Sequence, residues 1–246
     1  ASLFDNLLQR SFPLVTSMLK TSFLYRNCCI AIAVAFISLA ANSPLQAEVD
    51  PLDWTYWRGP ESNGVSRETG LVDTIDLDDD SDLVEWKRTD LGGRSTPIVM
   101  NGKLYTIVRA EPDTPREGEK VVCVDATTGK TIWENRFNVW LSDVPAERVG
   151  WSSVIGDPDT GLVYALGVCG FFQCLDAETG ERVWSIPLHE QFGLLSTYGG
   201  RTNFPVICDD LVIVSAIVIG WGDMAKPAHR FIGFDKKTGE VVWFNG

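Results

Sequence analysis

Two polar stretches nearly repeat each other along this chain, Gly92-Gly93-Arg94-Ser95-Thr96-Pro97 and Gly199-Gly200-Arg201-Thr202-Asn203-Phe204-Pro205, with Gly150-Trp151-Ser152-Ser153 between them. A guanidinium fork binds a carboxylate through paired hydrogen bonds, hydroxyls add directed donors, and an indole offers a flat apolar face. Arg94, Ser95, Thr96, Trp151, Ser152, Arg201, Thr202 and Asn203 are therefore the candidate binding residues, provided the fold gathers them. No catalytic residue is nominated.

Other chemistries find no matching spacing. Gly129-Lys130-Thr131 has the tail of a phosphate-binding loop, but the first Gly of that loop would fall at Val124 and the flanking pattern is strand, not strand then helix. The acidic run Asp76, Asp78, Asp79, Asp80 and Asp82 hints at a calcium loop, yet a helix–loop–helix calcium site would need Gly and Glu where Ser81 and Lys87 stand. A solvated loop between strands is the expectation there. His189 and His229 are the only histidines and have no zinc spacing, and no nucleophile elbow is present.

The elements that must position the candidates repeat. Val122-Cys-Val-Asp125-Ala-Thr-Thr128-Gly129-Lys-Thr-Ile-Trp133 aligns with Gln173-Cys-Leu-Asp176-Ala-Glu-Thr179-Gly180-Glu-Arg-Val-Trp184 and with Ile232-Gly-Phe-Asp235-Lys-Lys-Thr238-Gly239-Glu-Val-Val-Trp243. Each copy reads as strand, tight turn, strand: the Asp carboxylate can accept hydrogen bonds from turn amides, and the Gly supplies a positive φ. Glu85-Trp86 looks like the tail of an earlier copy whose turn is lost, which makes the Trp spacings 47, 51 and 59 residues. That length holds four short strands with their turns. Upstream halves fit too: Pro97-Ile-Val-Met, Asn101-Gly102 and Lys103 to Ile107 form a hairpin with the dipeptide of a type I′ turn, repeated around Asp209-Asp210 and, with a longer turn, from Val154 to Leu166. Tandem four-stranded units predict an all-β fold, a β-propeller, with about three blades present.

With these residues the chain resembles the quinoprotein-like propellers, whose repeat is A-x-D-x-x-T-G-K-x-x-W, over roughly residues 83–246. Their rings usually hold about eight blades, so the resemblance implies a fragment of a ring. Trp54-Thr-Tyr-Trp57-Arg58-Gly59-Pro60 resembles the W-x-x-W-R-G-P opening of a group of exported bacterial members, and is expected to close the ring or pack under it. The resemblance also brings in pyrroloquinoline quinone (PQQ) with calcium, carried by the family's dehydrogenases. PQQ is a planar tricarboxylate, which the nominated Arg, hydroxyl and Trp groups would suit. The adjacent-Cys pair, calcium carboxylates and catalytic Asp of those enzymes cannot be placed in this sequence; Cys28-Cys29 imitates the pair but falls in the leader described next.

From Met18 the sequence reads as a signal peptide: Lys20 and Arg26, an apolar run from Ile30 to Ala41, and a cleavage site ending at Ala47. The run is well short of the ~20 residues that span a bilayer. Residues 1–47 are thus expected to be a leader (residues 1–17 an extension before the true start), 48–82 a lead-in and 83–246 the partial propeller. The chain carries 21 basic and 33 acidic residues, a net charge of −12; residues 1–47 hold only Arg10, Lys20, Arg26 and Asp5, so the remainder carries −14. Such a surface repels phosphate backbones and argues against nucleic acid. Cys123, Cys169, Cys174 and Cys208 remain in a compartment that permits disulfides, and spacing does not pair them. Cys123 and Cys174 are expected to be small buried strand residues.

The expected function is an exported propeller, periplasmic or at the bacterial cell surface, that presents a surface to another protein and resembles the propeller of the outer-membrane assembly machinery. A PQQ-dependent alcohol or sugar dehydrogenase is the alternative, with a small-molecule ligand. Binding of a carbohydrate or polymer at the channel mouth is a third reading, since fold alone does not choose.

Overall fold

The structure is a computed structural model and describes residues 50, 53–74, 84–139, 148–192, 204–218 and 228–245. All of them belong to one compact unit, Glu48–Gly246. The expected leader, the acidic run and Arg201, Thr202 and Asn203 lie outside the described residues.

Three four-stranded antiparallel sheets follow one another along the chain. The first is β1 (Ile98–Met100), β2 (Lys103–Ala110), β3 (Gly118–Asp125) and β4 (Thr131–Asn138); the second is β5 (Val154–Asp157), β6 (Leu162–Leu166), β7 (Phe171–Asp176) and β8 (Arg182–Pro187). A short helix, α1 (Leu188–Phe192), precedes the third: β9 (Val206–Cys208), β10 (Leu211–Val218), β11 (Ala228–Asp235) and β12 (Val241–Asn245). Strand order within each sheet is sequential, which is the up-and-down blade that the repeats predict.

The repeated turn forms as its chemistry requires. Asp125 Oδ1 accepts from the Thr128 amide at 2.7 Å and from the Thr128 hydroxyl at 2.8 Å, and Gly129, at φ 67°, closes the turn by donating to Asp125 O at 2.8 Å. Asp176 and Asp235 accept the corresponding Thr179 and Thr238 amides, each at 2.8 Å. These bonds hold the Asp125 and Asp235 carboxyls below their ordinary range. Asn101 and Gly102 both take positive φ, as a type I′ hairpin needs.

The core lies at the seams between blades. Three of the Trp residues cross to the next blade's turn: Trp86 donates to Ala126 O at 2.9 Å, Trp133 to Ala177 O at 3.0 Å and Trp184 to Lys236 O at 3.2 Å. Each of these rings lies so close over the turn glycine that a Cβ on Gly129, Gly180 or Gly239 would sit 2.5–2.7 Å from ring carbon. Thus Gly is required twice, by φ and by the ring. Tyr105 and Tyr164 donate to the same two carbonyls, Ala177 O and Lys236 O, from inside the seams. One apolar cluster joins the first two blades around Ile98, Ile107, Val121, Trp133 and Val163; a second joins the second and third around Tyr164, Phe172, Ile186, Val214 and Phe234.

The lead-in neither adds a full strand nor merely packs beneath. Val99 N donates to Trp54 O and Gly156 N to Thr55 O, each at 2.9 Å, while the Asn101 amide donates to Asp53 Oδ2 at 2.7 Å. Val99 and Gly156 occupy the same register position of β1 and β5, so two adjacent lead-in carbonyls staple two successive blades along their first strands. Trp57 then stacks on Phe204, ahead of β9, with centroids 5.2 Å apart. Gly59 explains its place in the opening: at φ 79° its missing Cβ would sit 2.8 Å from the Trp54 ring.

Candidate functional site

The segment leading into β1 and the connection between β4 and β5 meet. The Arg94 guanidinium lies over the Trp151 ring, 4.3 Å from its centroid, and Arg148, which the sequence reading passed over, lies 4.9 Å from it. The Trp151 indole N–H is buried and has no hydrogen-bond acceptor among the described residues. A single aromatic thus carries two cations, an arrangement that attracts anions.

The hydroxyls are engaged differently. Ile107 N donates to Ser95 Oγ at 3.4 Å, Ser95 donates onward to Ser153 Oγ at 3.4 Å, and Ser153 Oγ also accepts from the Thr96 amide at 2.9 Å. Ser153 and Ser152 are buried. Ser95 and Thr96 therefore knit the two segments together through Ser153, so of the nominated set Arg94 and Trp151 form the cluster, Ser95 and Thr96 underpin it, and Ser152 sits buried beside it. Gly150, at φ 78°, packs its backbone against Val108 and Arg109, where a Cβ would be 3.0 Å from Arg109 N.

Below the cluster is a group that sequence reasoning missed. Glu119 of β3 is 0% exposed. Its Oε1 accepts from the Gly150 amide and its Oε2 from the Val168 amide, each at 2.9 Å, the latter in the turn between β6 and β7. Burial pushes its carboxyl up to about 7, against the opposing pull of those two bonds. Counting back from the turn Asp, the repeat has Glu119, Gly170 and His229 at this position. That departure from the repeat was the available signal.

Other reactive groups are quiet. Cys123 and Cys174 are buried, and burial pushes their thiols up to about 11 and about 12, which leaves them protonated and inert. The four Cys of the described residues form no disulfide. A cleft of about 580 Å³ beside the β2–β3 hairpin is lined by Glu111, Arg116, Glu117 and Arg136, but Arg136 and Arg116 pair with Glu111, and Glu117 pairs with Arg109. Its charges are spent on one another, and it lies apart from the Trp151 cluster's residues. Among the described residues no group of three His, Cys, Asp or Glu is placed to hold a metal ion, and no helix is long and apolar enough to cross a membrane.

Sequential four-stranded antiparallel blades locked by a Trp on the next blade's turn define a β-propeller of the quinoprotein-like class. The chain belongs to the family described as outer membrane protein assembly factor BamB, whose pattern matches residues 117–245. It is also similar to the dehydrogenase subunit of a quinone alcohol dehydrogenase from Gluconobacter oxydans (strain 621H), 27% identical over 161 residues, which are 63% of this chain and 19% of that one. Quinohemoprotein alcohol dehydrogenase ADH IIB of Pseudomonas putida is 24% identical over 184 residues, 72% of this chain and 22% of that protein. The chain therefore spans about a fifth of the length of these relatives. Among solved structures it matches the quinohemoprotein alcohol dehydrogenase of Comamonas testosteroni, at a TM-score of 0.44 and 23% identity over 63% of this chain and 21% of that one. It also matches BamB of Moraxella catarrhalis, at a TM-score of 0.31 and 14% identity over 63% and 64%.

Proposed function

We propose that this protein is an exported propeller scaffold, acting in the periplasm or at the cell surface, that docks another protein and performs no chemistry itself. The observation that carries the reading is the use made of the serines at the strand entrances: the Ser95 and Ser153 hydroxyls are bonded to each other and accept from the Ile107 and Thr96 backbone amides. Hydroxyls committed to holding two blades in register do not serve a ligand as well. Membership in the BamB family agrees with this reading.

A second reading, a PQQ-dependent dehydrogenase, is favoured by the Arg94–Trp151–Arg148 cluster and its buried indole N–H, which has no acceptor among the described residues. The fit is to the acid groups: the two guanidinia that lie over Trp151 would hold carboxylates. The quinone, when bound, would supply the oxidation; no catalytic step is assigned to this chain's residues.

Reconstitution of the protein with PQQ and calcium separates the two. The scaffold reading expects no thermal shift, no dye reduction with alcohols or sugars, and no effect of Arg94→Ala. The enzyme reading expects a raised melting temperature, because a ligand of the folded state stabilises it. It also expects Arg94→Ala to weaken binding by about 1.5–3 kcal/mol, the scale of a charge-assisted hydrogen bond.

A further inference from the structure

We propose that Glu119 is a proton-sensitive positioning residue: its carboxylate, with one oxygen on each of two loops of the neighbouring blade, sets where Gly150 and the adjoining Trp151 stand, and taking up a proton releases one of those loops. Both bonds, Gly150 N to Oε1 and Val168 N to Oε2, are 2.9 Å long. The inference rests on the contact between the first two blades and holds whether the Trp151 cluster binds a partner, a quinone or nothing.

A carboxylate offers two full acceptors, whereas a carboxylic acid keeps one strong acceptor, and its hydroxyl is chiefly a donor. Two amides pointing at opposite oxygens therefore suit the ionised form. Yet Glu119 is buried without a cation, and an uncompensated buried charge is costly. The opposed demands bring ionisation into the neutral range, with the carboxyl pushed up to about 7 by burial.

The surrounding charges leave Glu119 to itself. Its cross-strand neighbour on β2 is Arg109, whose guanidinium is taken by Glu117 of β3 at 2.5 Å and by Asp113 at 2.9 Å. On β4 its neighbour is Phe137, which bears no charge. Arg148, in the connection, lies over Trp151. On the second blade Arg182 lies over Phe171 and bonds Gln173, and His189 of α1 stands near Gly170. Gly167 gives the carboxylate its approach: a Cβ there would be 2.7 Å from Oε2 and 2.5 Å from the Phe137 ring. No fold requirement puts a carboxylate at this position, because the second and third copies have Gly170 and His229 there.

Hydrogen exchange of the whole chain, corrected for the intrinsic pH dependence of exchange, tests this directly. The Gly150 and Val168 amides are compared at pH 5.5 and pH 8 in wild type and in Glu119→Gln, with Gly180 N, which bonds only backbone, as the control. Wild type should lose about tenfold or more of its protection at one of the two amides on going to pH 5.5, with Gly180 unchanged. Glu119→Gln, which has one acceptor at every pH, should show the low value at both. The fluorescence difference between the parent and Trp151→Phe should titrate near pH 7 in wild type and stay flat in the Gln background. Protection in wild type that does not change between the two pH values overturns the proposal, including where the Gln variant fails to fold. A Gln variant that keeps the wild-type pH response overturns it equally.

Discussion

Glycines that look alike in sequence separate once their surroundings are known. Gly102 and Gly180 both hold positive φ, at 70° and 72°, but nothing lies within 4 Å of a Cβ on Gly102, while a Cβ on Gly180 would sit 2.5 Å from the Trp133 ring. Gly102→Ala should cost only the left-handed backbone term, about 1–2 kcal/mol, and Gly180→Ala that plus displacement of the indole, about 2–5 kcal/mol in all. Urea midpoints of the two variants check the ordering. Glu119 yields a pH prediction whose sign is set by its raised carboxyl. In the folded chain it keeps its proton up to about 7, whereas an unfolded carboxyl releases it near 4.5. Between those values the folded state binds more protons, so this group's contribution is fully present below about 4.5 and is lost as pH rises through 7. The melting temperature of Glu119→Gln should therefore fall less steeply from pH 5 to pH 7.5 than that of wild type. The site was half legible at this scale. Arg94 and Trp151 stood out by type and neighbourhood, but Ser153 and Arg148 are ordinary residues in ordinary loops, and their roles depend on which chain segments the blades bring side by side.

At the scale of the element, the blade was readable because its punctuation is chemical: an Asp that accepts turn amides, a Gly that tolerates positive φ, and a Trp at fixed spacing. What the pattern concealed is the bulge. In all three blades the pairing of the last two strands slips at the same place, after Cys123, Cys174 and Gly233, so that Ile132, Val183 and Val242 become extra residues and face solvent. Alternation from Trp133 and Phe137 already sets Ile132 on the outer face with Glu134 and Arg136; what it does not reveal is that the residue before each Trp is an extra, unpaired one. The staple made by Trp54 and Thr55 was equally hidden, because it uses carbonyls, which no side-chain pattern encodes. The docked Trp should also dominate the energetics of its strand. Trp133 is 9% exposed and Trp243 is 37% exposed, its ring resting on Gly233 where the other copies have Cys123 and Cys174. Trp133→Ala should cost about 3–5 kcal/mol, the range for emptying an aromatic site in a core, and Trp243→Ala much less, as denaturant unfolding of each variant will show.

For the molecule as a whole, stability comes from nearest-neighbour seams, so each blade is only as secure as the face covering it. The seams are built in one direction: a Trp reaches forward to the next turn, and Trp86 caps the first blade's turn at Gly129 in the same way that Trp133 and Trp184 cap the second and third. In residues 48–246 taken by themselves, the third blade has no such cover from a following one among the described residues. Phe231, Val241, Val242, Trp243 and Phe244 are all exposed along β11 and β12, a contiguous apolar edge of the kind that drives association. The net charge of −14 on residues 48–246 opposes association at long range, but it is screened within about 10 Å at 0.1 M salt, whereas apolar contact is not. Residues 48–246 should consequently self-associate, and more strongly as salt rises from about 0.01 to 0.5 M. Replacing Val242 by Asp should reduce it, since Val242 is a bulge residue that faces solvent and its charge interrupts the apolar edge without entering a seam. Sedimentation velocity across that salt range decides the matter: a monodisperse monomer at every salt concentration, or association that Val242→Asp leaves untouched, would show that this edge does not hold copies together.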